Sequence, residues 1–495
     1  MRSKGWIKIK TYQDLLEVIN NEEQKKDFVF KVIEDHKSSD DYKTAVTAEE
    51  YATGKNSTIR KYQKILYEIT GQAVPDVYSA NHKCASGFFK RFVTQESTYL
   101  LGNGVKFAGK DIEVPEGTDG AKERIENVSV KDGKVTFDKK WYLNIDAGTK
   151  QKLGKNFDQI MYYMVKSALI QKVSFGFWNY DHVEMFKLTE FAPLYDEENG
   201  ALKAGVRWWQ IDKGKPLRAT LYEDDGYTEY KKHDGKIEII KEKQAYITTT
   251  KTSEADGTVF YDGKNYPTFP IVPLYGNPEK QSELVGIREQ IDCYDLIKNG
   301  FANDLDEASI IYWIIHNAGG MDDVDLAEFK HRMKTLKVAP VDREGATVEA
   351  HTLDVPYQGR EACLNRLEKD LYRDYMALDV EAISAGNVTA TQIEAAYEPV
   401  NEKADELEFC VIDFIQGIFA VAEIEDDPIF TRSQISNQTE YVNMILQCAN
   451  YLDDETILEL LPFITPEMKE VIMQRRIAED YSRFETDTED VIDDE

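Results

Sequence analysis

The stretch from residue 355 to 422 constrains the fold more than any other part of the chain: it contains a helix, a loop of small residues and a much longer helix. The loop, 384–391, has little side-chain bulk and is too weakly apolar to lie in a core. After it, steps of four and three residues separate successive apolar or small residues: Ile393, Tyr397, Val400, Ala404, Leu407, Val411, Phe414 and Ile418. This spacing predicts a helix packed along its length against other helices.

Pro399 interrupts this long helix. A proline cannot donate a hydrogen bond to the carbonyl of Ala395, and its ring crowds that turn. We therefore expect the helix to bend at Pro399 rather than end there. A helical hairpin inside an ordinary core would show the same pattern, so the pattern alone leaves that alternative open.

The composition describes a folded and strongly acidic chain. Its 495 residues are 42% hydrophobic and 11% aromatic, enough for two to four domains with a large core. The formal charge of −30 argues against a protein that grips nucleic acid over a broad basic surface. It does not exclude a protein past which nucleic acid slides, and solubility alone would also explain it.

Cysteine usage and the N-terminus indicate a soluble protein made in a cytoplasm. The five cysteines are scattered without a CxxC pair, so neither a disulfide framework nor a zinc site is expected. Residues 1–6 lack the apolar core of a signal peptide. No apolar run approaches the length that spans a bilayer, so we expect no membrane partner.

Periodicity along the first half of the chain predicts an α+β fold. Residues 11–70 and 81–101 read as helices, and the second of these closes at Gly102-Asn103-Gly104. From 105 to 275, short strand-like runs alternate with Asp-Gly turns, and one helix, 157–171, interrupts them. This pattern is typical of a mostly antiparallel sheet.

A second amphipathic helix follows Asn277-Pro278, a plausible cap and first helical position, and runs to about Ser309, a length of about 40 Å. Its apolar stripe comprises Leu284, Ile287, Ile291, Tyr294, Phe301 and Leu305. Its polar face comprises Glu289, Asp292, Asp295, Asn299, Asn303, Asp306 and Glu307. Contact with solvent is the simplest explanation of that polar face.

The sequence contains no catalytic, cofactor or metal fingerprint. Segments 148–156 and 257–265 resemble phosphate loops, but each has one residue too many between its glycines, and Asn replaces the magnesium-binding Ser or Thr. The seven histidines lack ligand spacing. A nucleic-acid-processing enzyme remains an alternative only because distant residues can assemble a site.

Four stretches of the chain carry motifs of one protein family. Residues 81–105, which end in Tyr99-Leu100-Leu101-Gly102-Asn103-Gly104-Val105, are similar to an Asn-rich helix with a Tyr-Leu-x-Gly-x-x-Val signature. Tyr51-Ala52-Thr53-Gly54-Lys55 is a degraded Tyr-x-x-Gly motif. The other two stretches are residues 270–307 and the run Gly386-Asn387-Val388-Thr389-Ala390.

Together these four stretches resemble the portal proteins of tailed double-stranded-DNA bacteriophages of the siphovirus type. Residues 270–307 look like the first stem helix of that family. Residues 386–390 lie where the family has its tunnel loop, with Ala390 in place of a glycine.

The resemblance implies a division of the chain into the parts of a portal subunit. A wing would cover 1–275, helical first and then mostly antiparallel β. Stem helices would cover 276–309 and 354–377, with a small α/β clip at 310–353 between them. A tunnel loop at 378–391, a long kinked helix with a return to the wing at 392–432, an α-helical crown at 433–484 and a disordered acidic tail at 485–495 would follow.

The resemblance also implies a role, a location and partners. The role is a dodecameric ring at one vertex of the virion capsid, through which double-stranded DNA is packaged and ejected. The implied partners are the terminase large subunit, a head-completion adaptor, and the major capsid and scaffolding proteins. A non-portal oligomeric scaffold is the other alternative to an enzyme.

Particular residues would carry this role. The DNA-facing tunnel loop would comprise Ser384, Gly386, Asn387, Thr389 and Thr391. The channel-facing stem would comprise Glu289, Asp292, Asp295, Asn299 and Asn303, whose charge would keep friction with DNA low. Pro399 would be the kink of the long helix, and Leu407, Val411 and Phe414 would be the seam between subunits.

Overall fold

The computed structural model describes residues 9–472 apart from 68–71, 78, 116–117, 119–120, 132–133, 253–258, 309–311, 317–322, 336–346, 352–356, 385–389, 433–441, 443–444, 449–450, 452–453, 462–463, 465–467 and 470–471. The chain divides into two compact units. The first comprises residues 1–377 and 402–432, and the second comprises 378–401 and 433–495.

The first unit begins with four helices, each capped by a polar side chain. They are α1 (Tyr12–Val18), α2 (Glu22–Ser38), α3 (Asp40–Ala52) and α4 (Ser57–Lys61). Thr11, Asn21, Ser39 and Asn56 accept hydrogen bonds from main-chain N–H groups of the first turns. Such caps satisfy donors that have no partner within the helix, which is why these helices begin where they do.

Two further helices of this unit, α5 (Phe88–Leu101) and α7 (Phe157–Gln171), are largely buried. The prediction for α7 is confirmed at both ends. The prediction for α5 is wrong at its start, because residues 81–87 precede the helix. One turn, α6 (Thr149–Lys152), precedes α7.

Every strand pairing among the described residues is antiparallel, which confirms the predicted α+β fold class.

The strands are β1 (Ile65–Tyr67), β2 (Ala73–Pro75), β3 (Val105–Phe107), β4 (Lys110–Val114), β5 (Lys122–Lys131), β6 (Lys134–Ile145), β7 (Val173–Asn179), β8 (His182–Lys187), β9 (Phe191–Tyr195), β10 (Leu202–Trp209), β11 (Leu217–Glu223), β12 (Gly226–His233), β13 (Lys236–Gln244), β14 (Ile247–Thr252), β15 (Val259–Lys264), β16 (Ile271–Tyr275), β17 (Tyr312–His316), β18 (Thr347–His351) and β19 (Pro428–Phe430).

The largest sheet among them has five strands in the order β13-β12-β11-β10-β9, and α2 packs against it. Other sheets have the orders β16-β7-β8, β4-β6-β5, β14-β15, β19-β3, β17-β18 and β1-β2.

Two long helices, α8 (Leu284–Ala308) and α10 (Tyr357–Tyr375), pack against each other. The hairpin β17–β18 and the helix α9 (Asp323–Thr335) lie between them in sequence. The predicted start of α8 at Asn277-Pro278 is six residues early, because Asn277 instead holds a turn through bonds with Gln281 and Glu283. Leu305, predicted on the apolar stripe, is 52% exposed.

The helix α12 (Ala390–Ala422) runs through both units and continues past Pro399 without a break. In the first unit, Leu407, Val411 and Phe414 are each at most 1% exposed and belong to its main core. A Cβ on Gly176 would lie 2.5 Å from Phe414, so β7 and α12 meet closely. The prediction that these three residues form the seam between subunits is therefore wrong: the apolar stripe packs inside the same chain.

The described part of the second unit is helical. It contains α11 (Val380–Ser384), the first turns of α12 and α13 (Asp454–Leu460). Ser384 ends α11, and Thr391 lies in the first turn of α12, where it is exposed. The other predicted loop residues, Gly386, Asn387 and Thr389, lie outside the described residues, as do most of 433–484 and all of 485–495.

Candidate functional site

The polar face of α8 binds an extended segment of the same chain, residues 82–86. Asn303 Oδ1 accepts a hydrogen bond from the N–H of His82 at 2.7 Å. Asn299 Oδ1 accepts from the N–H of Cys84 at 2.7 Å, and Asp295 Oδ1 accepts from the N–H of Ser86 at 2.8 Å. Four helical residues rise about 6 Å and two extended residues about 6.6 Å, so the two repeats match.

Asn299 is the centre of this contact. Its Nδ2 donates to the carbonyl of Cys84 at 2.9 Å while its Oδ1 accepts from the N–H of the same residue. A primary amide offers a donor and an acceptor together, so it satisfies both main-chain groups of one residue as a neighbouring strand would. An aspartate at this position could only accept.

The N-terminal end of the polar face binds the end of α3 and the start of α4. Tyr51 O–H donates to Asp292 at 2.5 Å, and Thr58 O–H donates to the same carboxylate at 2.9 Å. Asn56 Nδ2 donates to Asp292 at 3.0 Å and to Asp295 at 2.8 Å. Burial raises the pKa of Asp295, while the bonds from Asn56 and Ser86 act in the opposite direction.

These contacts correct the prediction of a channel-facing stem. Asp295, Asn299 and Asn303 are 0%, 4% and 3% exposed, so they face their own chain and not a channel. Asp292 is partly buried in the same network, and Glu289 alone of the five predicted residues is exposed. A polar stripe on a helix has the same period whether it faces water or a main-chain segment. The two asparagines were the available signal for the second case, since they can pair with both N–H and C=O.

A second cluster joins α5, α10 and the turn before α8 around Lys403 of α12. Lys403 Nζ lies 2.6 Å from Glu283 Oε2, just before α8, and 3.5 Å from Glu96 Oε2 on α5. Tyr375, at the end of α10, donates its O–H to Glu96 at 2.6 Å. The ammonium also lies 3.4 Å from the centre of the Tyr375 ring, within cation–π range.

Burial dominates the electrostatics of this cluster. It raises the pKa of Glu96 to about 7, although the charge of Lys403 acts to lower that pKa. Burial, together with the Glu96 carboxylate, also raises the pKa of Tyr375 well above its usual value. A polar cavity of about 200 Å³ adjoins the cluster. No sequence pattern pointed to this site, because its four members are far apart in the chain.

The segments that resemble phosphate loops have other roles. Gly148 adopts a left-handed conformation before the single turn of α6, and residues 259–264 form the edge strand β15. Within the described ranges, no group of His, Cys, Asp and Glu side chains is arranged to hold a metal ion. Among the helices that the structure describes, none has the length and apolar character needed to cross a membrane.

Comparison with known proteins gave matches to viral proteins over most of the chain. A family model described as "Phage portal protein, SPP1 Gp6-like" matches residues 31–481. The portal protein of Bacillus phage SPP1 is 23% identical over 471 residues, which cover 88% of this chain and 84% of that protein. The portal protein of Clostridium phage phiCD119 is 24% identical over 239 residues, 44% of this chain and 52% of that protein, so this match spans about half of that relative.

Solved structures gave weaker matches. A chain of the neck of a native GTA particle computed with C12 symmetry is 11% identical with a TM-score of 0.33, over 63% of this chain and 83% of that chain. A chain from the virion of a native gene transfer agent particle is 9% identical with a TM-score of 0.36, over 63% and 82%. A likeness of that size carries no inference about function.

Proposed function

Because this chain belongs to the SPP1 Gp6-like family of phage portal proteins, we propose that it forms a ring, dodecameric in the particle, at a unique vertex of a tailed-phage capsid. The ring is the channel through which double-stranded DNA enters and leaves. The observation that carries the proposal is the extent of the family match, which runs through both units of the chain from residue 31 to residue 481.

The described elements are consistent with this role. The paired helices α8 and α10 provide two stem helices, and the hairpin β17–β18 with α9 forms a small α/β insert between them in sequence. The antiparallel sheets before residue 276 provide the wing. The strand β19 pairs with β3, which returns the chain to the wing after α12.

Partners follow from the same proposal. The clip, residues 310–353, meets the head-completion adaptor, and the terminase large subunit docks on the clip and outer wing. The major capsid and scaffolding proteins surround the ring in the particle. The protein is made in the host cytoplasm and has a structural role, with the motor's ATPase on a separate protein.

The loop around 384–391 is the proposed DNA-facing element. Ser384, Asn387, Thr389 and Thr391 offer hydroxyl and amide groups that exchange hydrogen bonds with phosphates, without the salt-dependent grip of Lys or Arg. Gly386 adds main-chain freedom. Pro399 is the proposed bend of α12, eight residues beyond Thr391.

Electron microscopy of purified full-length protein tests the ring. We expect closed rings with a central hole wide enough to admit a DNA duplex. Compact monomers would contradict the proposal and favour an enzyme. Rings whose hole cannot admit a duplex would favour a plain scaffold.

A charge substitution tests the loop. Asn387→Arg with Thr389→Arg should add positive charges to every subunit of the ring. We expect the affinity for a fluorescent DNA duplex to rise and its dependence on salt to steepen, because more counterions are released on binding. The matched control is Ile211→Arg with Gly214→Arg, which adds the same charge at exposed positions in the turn between β10 and β11. Unchanged DNA affinity in intact rings of the loop variant would remove this loop from the DNA path.

A further inference from the structure

Positive charge is concentrated in one segment of this acidic chain. Residues 55–91 contain seven Lys or Arg and two Asp or Glu, a formal charge of +5. Since the whole chain carries −30, the other residues carry −35. A local excess of this sign stands out against the rest of the molecule and calls for an anionic partner.

The structure brings part of that charge together beside α8. Lys83 lies in the segment 82–86 that α8 binds, and its Nζ donates a hydrogen bond to the main-chain carbonyl of Arg60, near the end of α4, at 2.9 Å. Lys61 comes directly after Arg60 in the chain and is the last residue of α4. Arg288 lies on α8, one turn before Asp292, whose carboxylate accepts a hydrogen bond from Thr58 of α4. We call Arg60, Lys61, Lys83 and Arg288 the basic patch, and all four are exposed.

Three members of the basic patch have no carboxylate partner. Among the described residues, no acidic oxygen lies within 4 Å of the Arg60, Lys61 or Lys83 side chains, and Arg288 lies 3.9 Å from Asp292. Asp292 itself already accepts three hydrogen bonds. Two large side chains beside the patch are also exposed, Tyr62 at 43% and Ile65 at 58%. A basic surface with exposed apolar groups is typical of a contact surface.

A complementary surface lies on α12. Glu406, Phe409 and Asp413 follow one another along its exposed side, over about 10 Å of helix. Phe409 is 68% exposed. Neither Glu406 nor Asp413 has a basic partner within 4 Å among the described residues. We call these three residues the acidic stripe. The acidic stripe combines two negative charges with one large apolar side chain, Phe409. The basic patch has four positive charges and lies beside two large exposed side chains, Tyr62 and Ile65.

We propose that the basic patch of one subunit docks on the acidic stripe of the next copy of this chain in the ring. Two different surfaces that meet head to tail generate a ring when the rotation between subunits closes, whereas a surface that pairs with its own copy generates a dimer. Phe409 buries against the apolar groups at Tyr62 and Ile65, and the flanking charges set orientation and partner choice. This inference rests on the ring-forming function proposed above.

DNA is the other anion that could occupy the basic patch. In a ring of twelve, four cations per subunit would hold a duplex through the release of dozens of counterions, and the resulting grip would oppose sliding. A surface of the neighbouring copy neutralises the same charge permanently. The excess negative charge on the rest of the chain supplies that partner without any further molecule.

Charge reversal tests the pairing in full-length protein. Arg60→Glu with Lys61→Glu should lower the fraction of chain in rings about tenfold at moderate salt, measured by light scattering and electron microscopy. Glu406→Lys with Asp413→Lys should do the same. The chain that carries all four changes has the wild-type net charge, and we expect its rings to return. Lys213→Glu with Lys215→Glu, in the exposed turn between β10 and β11, is the control for net charge.

Each outcome either supports or overturns the pairing of the basic patch with the acidic stripe. Melting temperatures near that of the wild type establish that the variants fold. Rings that persist in the patch variant overturn the pairing, and so does a four-change variant that stays without rings. Rings that persist while duplex DNA binding falls would assign the patch to DNA instead. If the wild-type protein forms no ring, the proposed function is contradicted. That result is distinct from the case in which the wild type forms rings but the four-change variant does not.

Discussion

At the scale of residues, Glu96 and Lys403 show how burial changes the chemistry of a side chain. Glu96 shares Lys403 with Glu283 and accepts a hydrogen bond from Tyr375. Burial raises the pKa of Glu96 to about 7; the Lys403 charge acts to lower that pKa, and the Glu283 charge acts to raise it. Glu96 therefore gains its buried negative charge only as the pH rises through about 7.

This arrangement predicts a pH dependence of stability. The folded-state pKa of Glu96 lies above its unfolded value near 4.5, so the folded protein binds more protons between these pH values. Stability that comes from protonated Glu96 is present below about pH 4.5 and is lost as the pH rises through 7. Relative to Glu96→Gln, which stays neutral, the wild type should lose up to ~3 kcal/mol of unfolding free energy between pH 5 and pH 8.

Urea denaturation of both proteins at the two pH values measures this difference. The comparison cancels the titration of all other groups, provided that the substitution leaves them unchanged. Glu113→Gln, at an exposed position on β4, is the control and should track the wild type at both pH values. A difference between wild type and Glu96→Gln that does not change with pH would contradict the raised pKa.

At the scale of elements, the contact between α8 and residues 82–86 explains why α5 begins at Phe88. Alternate N–H groups of the segment, at 82, 84 and 86, are bound to α8 side chains, which holds this part of the chain extended. A helix starting at 81 would withdraw these groups from Asn303, Asn299 and Asp295. Three buried polar side chains would then lose their partners, which costs more than the missing helical turns contribute.

Hydrogen exchange can detect this contact directly. In the wild type we expect the amides of Cys84 and Ser86 to exchange slowly and those of Lys83 and Ala85 to exchange fast. Asn299→Ala removes both bonds to Cys84 and should destabilise the protein by ~1–3 kcal/mol, with faster exchange at Cys84. Glu289→Ala, on the exposed side of the same helix, should change stability by less than ~0.5 kcal/mol. Equal exchange at 83 and 84 in the wild type would contradict the contact.

At the scale of the whole molecule, the net charge of −30 conceals a separation of charge. The net charge argues against a broad basic surface. Residues 55–91 nevertheless carry a formal charge of +5, and part of that positive charge is exposed beside α8. The separation gives a subunit two unlike surfaces, which a head-to-tail ring requires. A chain with its charges evenly mixed would have no such preference for one contact over another.

The amino-acid sequence by itself determined the local elements and the family. The limits of α7, the antiparallel strands between Asp-Gly turns, and the continuous apolar stripe of α12 all follow from short-range periodicity and propensity. Ordered motifs along the chain sufficed for the portal resemblance, which the family match over residues 31–481 confirms.

Only the tertiary structure decided what each face contacts. The stripe through Leu407, Val411 and Phe414 has the same spacing whether it packs on its own core or on another subunit, and the structure places it in its own core. The polar face of α8 has the same spacing whether it meets water or residues 82–86. The cluster of Glu96, Glu283, Tyr375 and Lys403 joins residues from three helices and from the turn before α8. Periodicity predicts which face of a helix or strand a side chain lies on. What that face contacts depends on long-range packing, which a local sequence pattern does not contain.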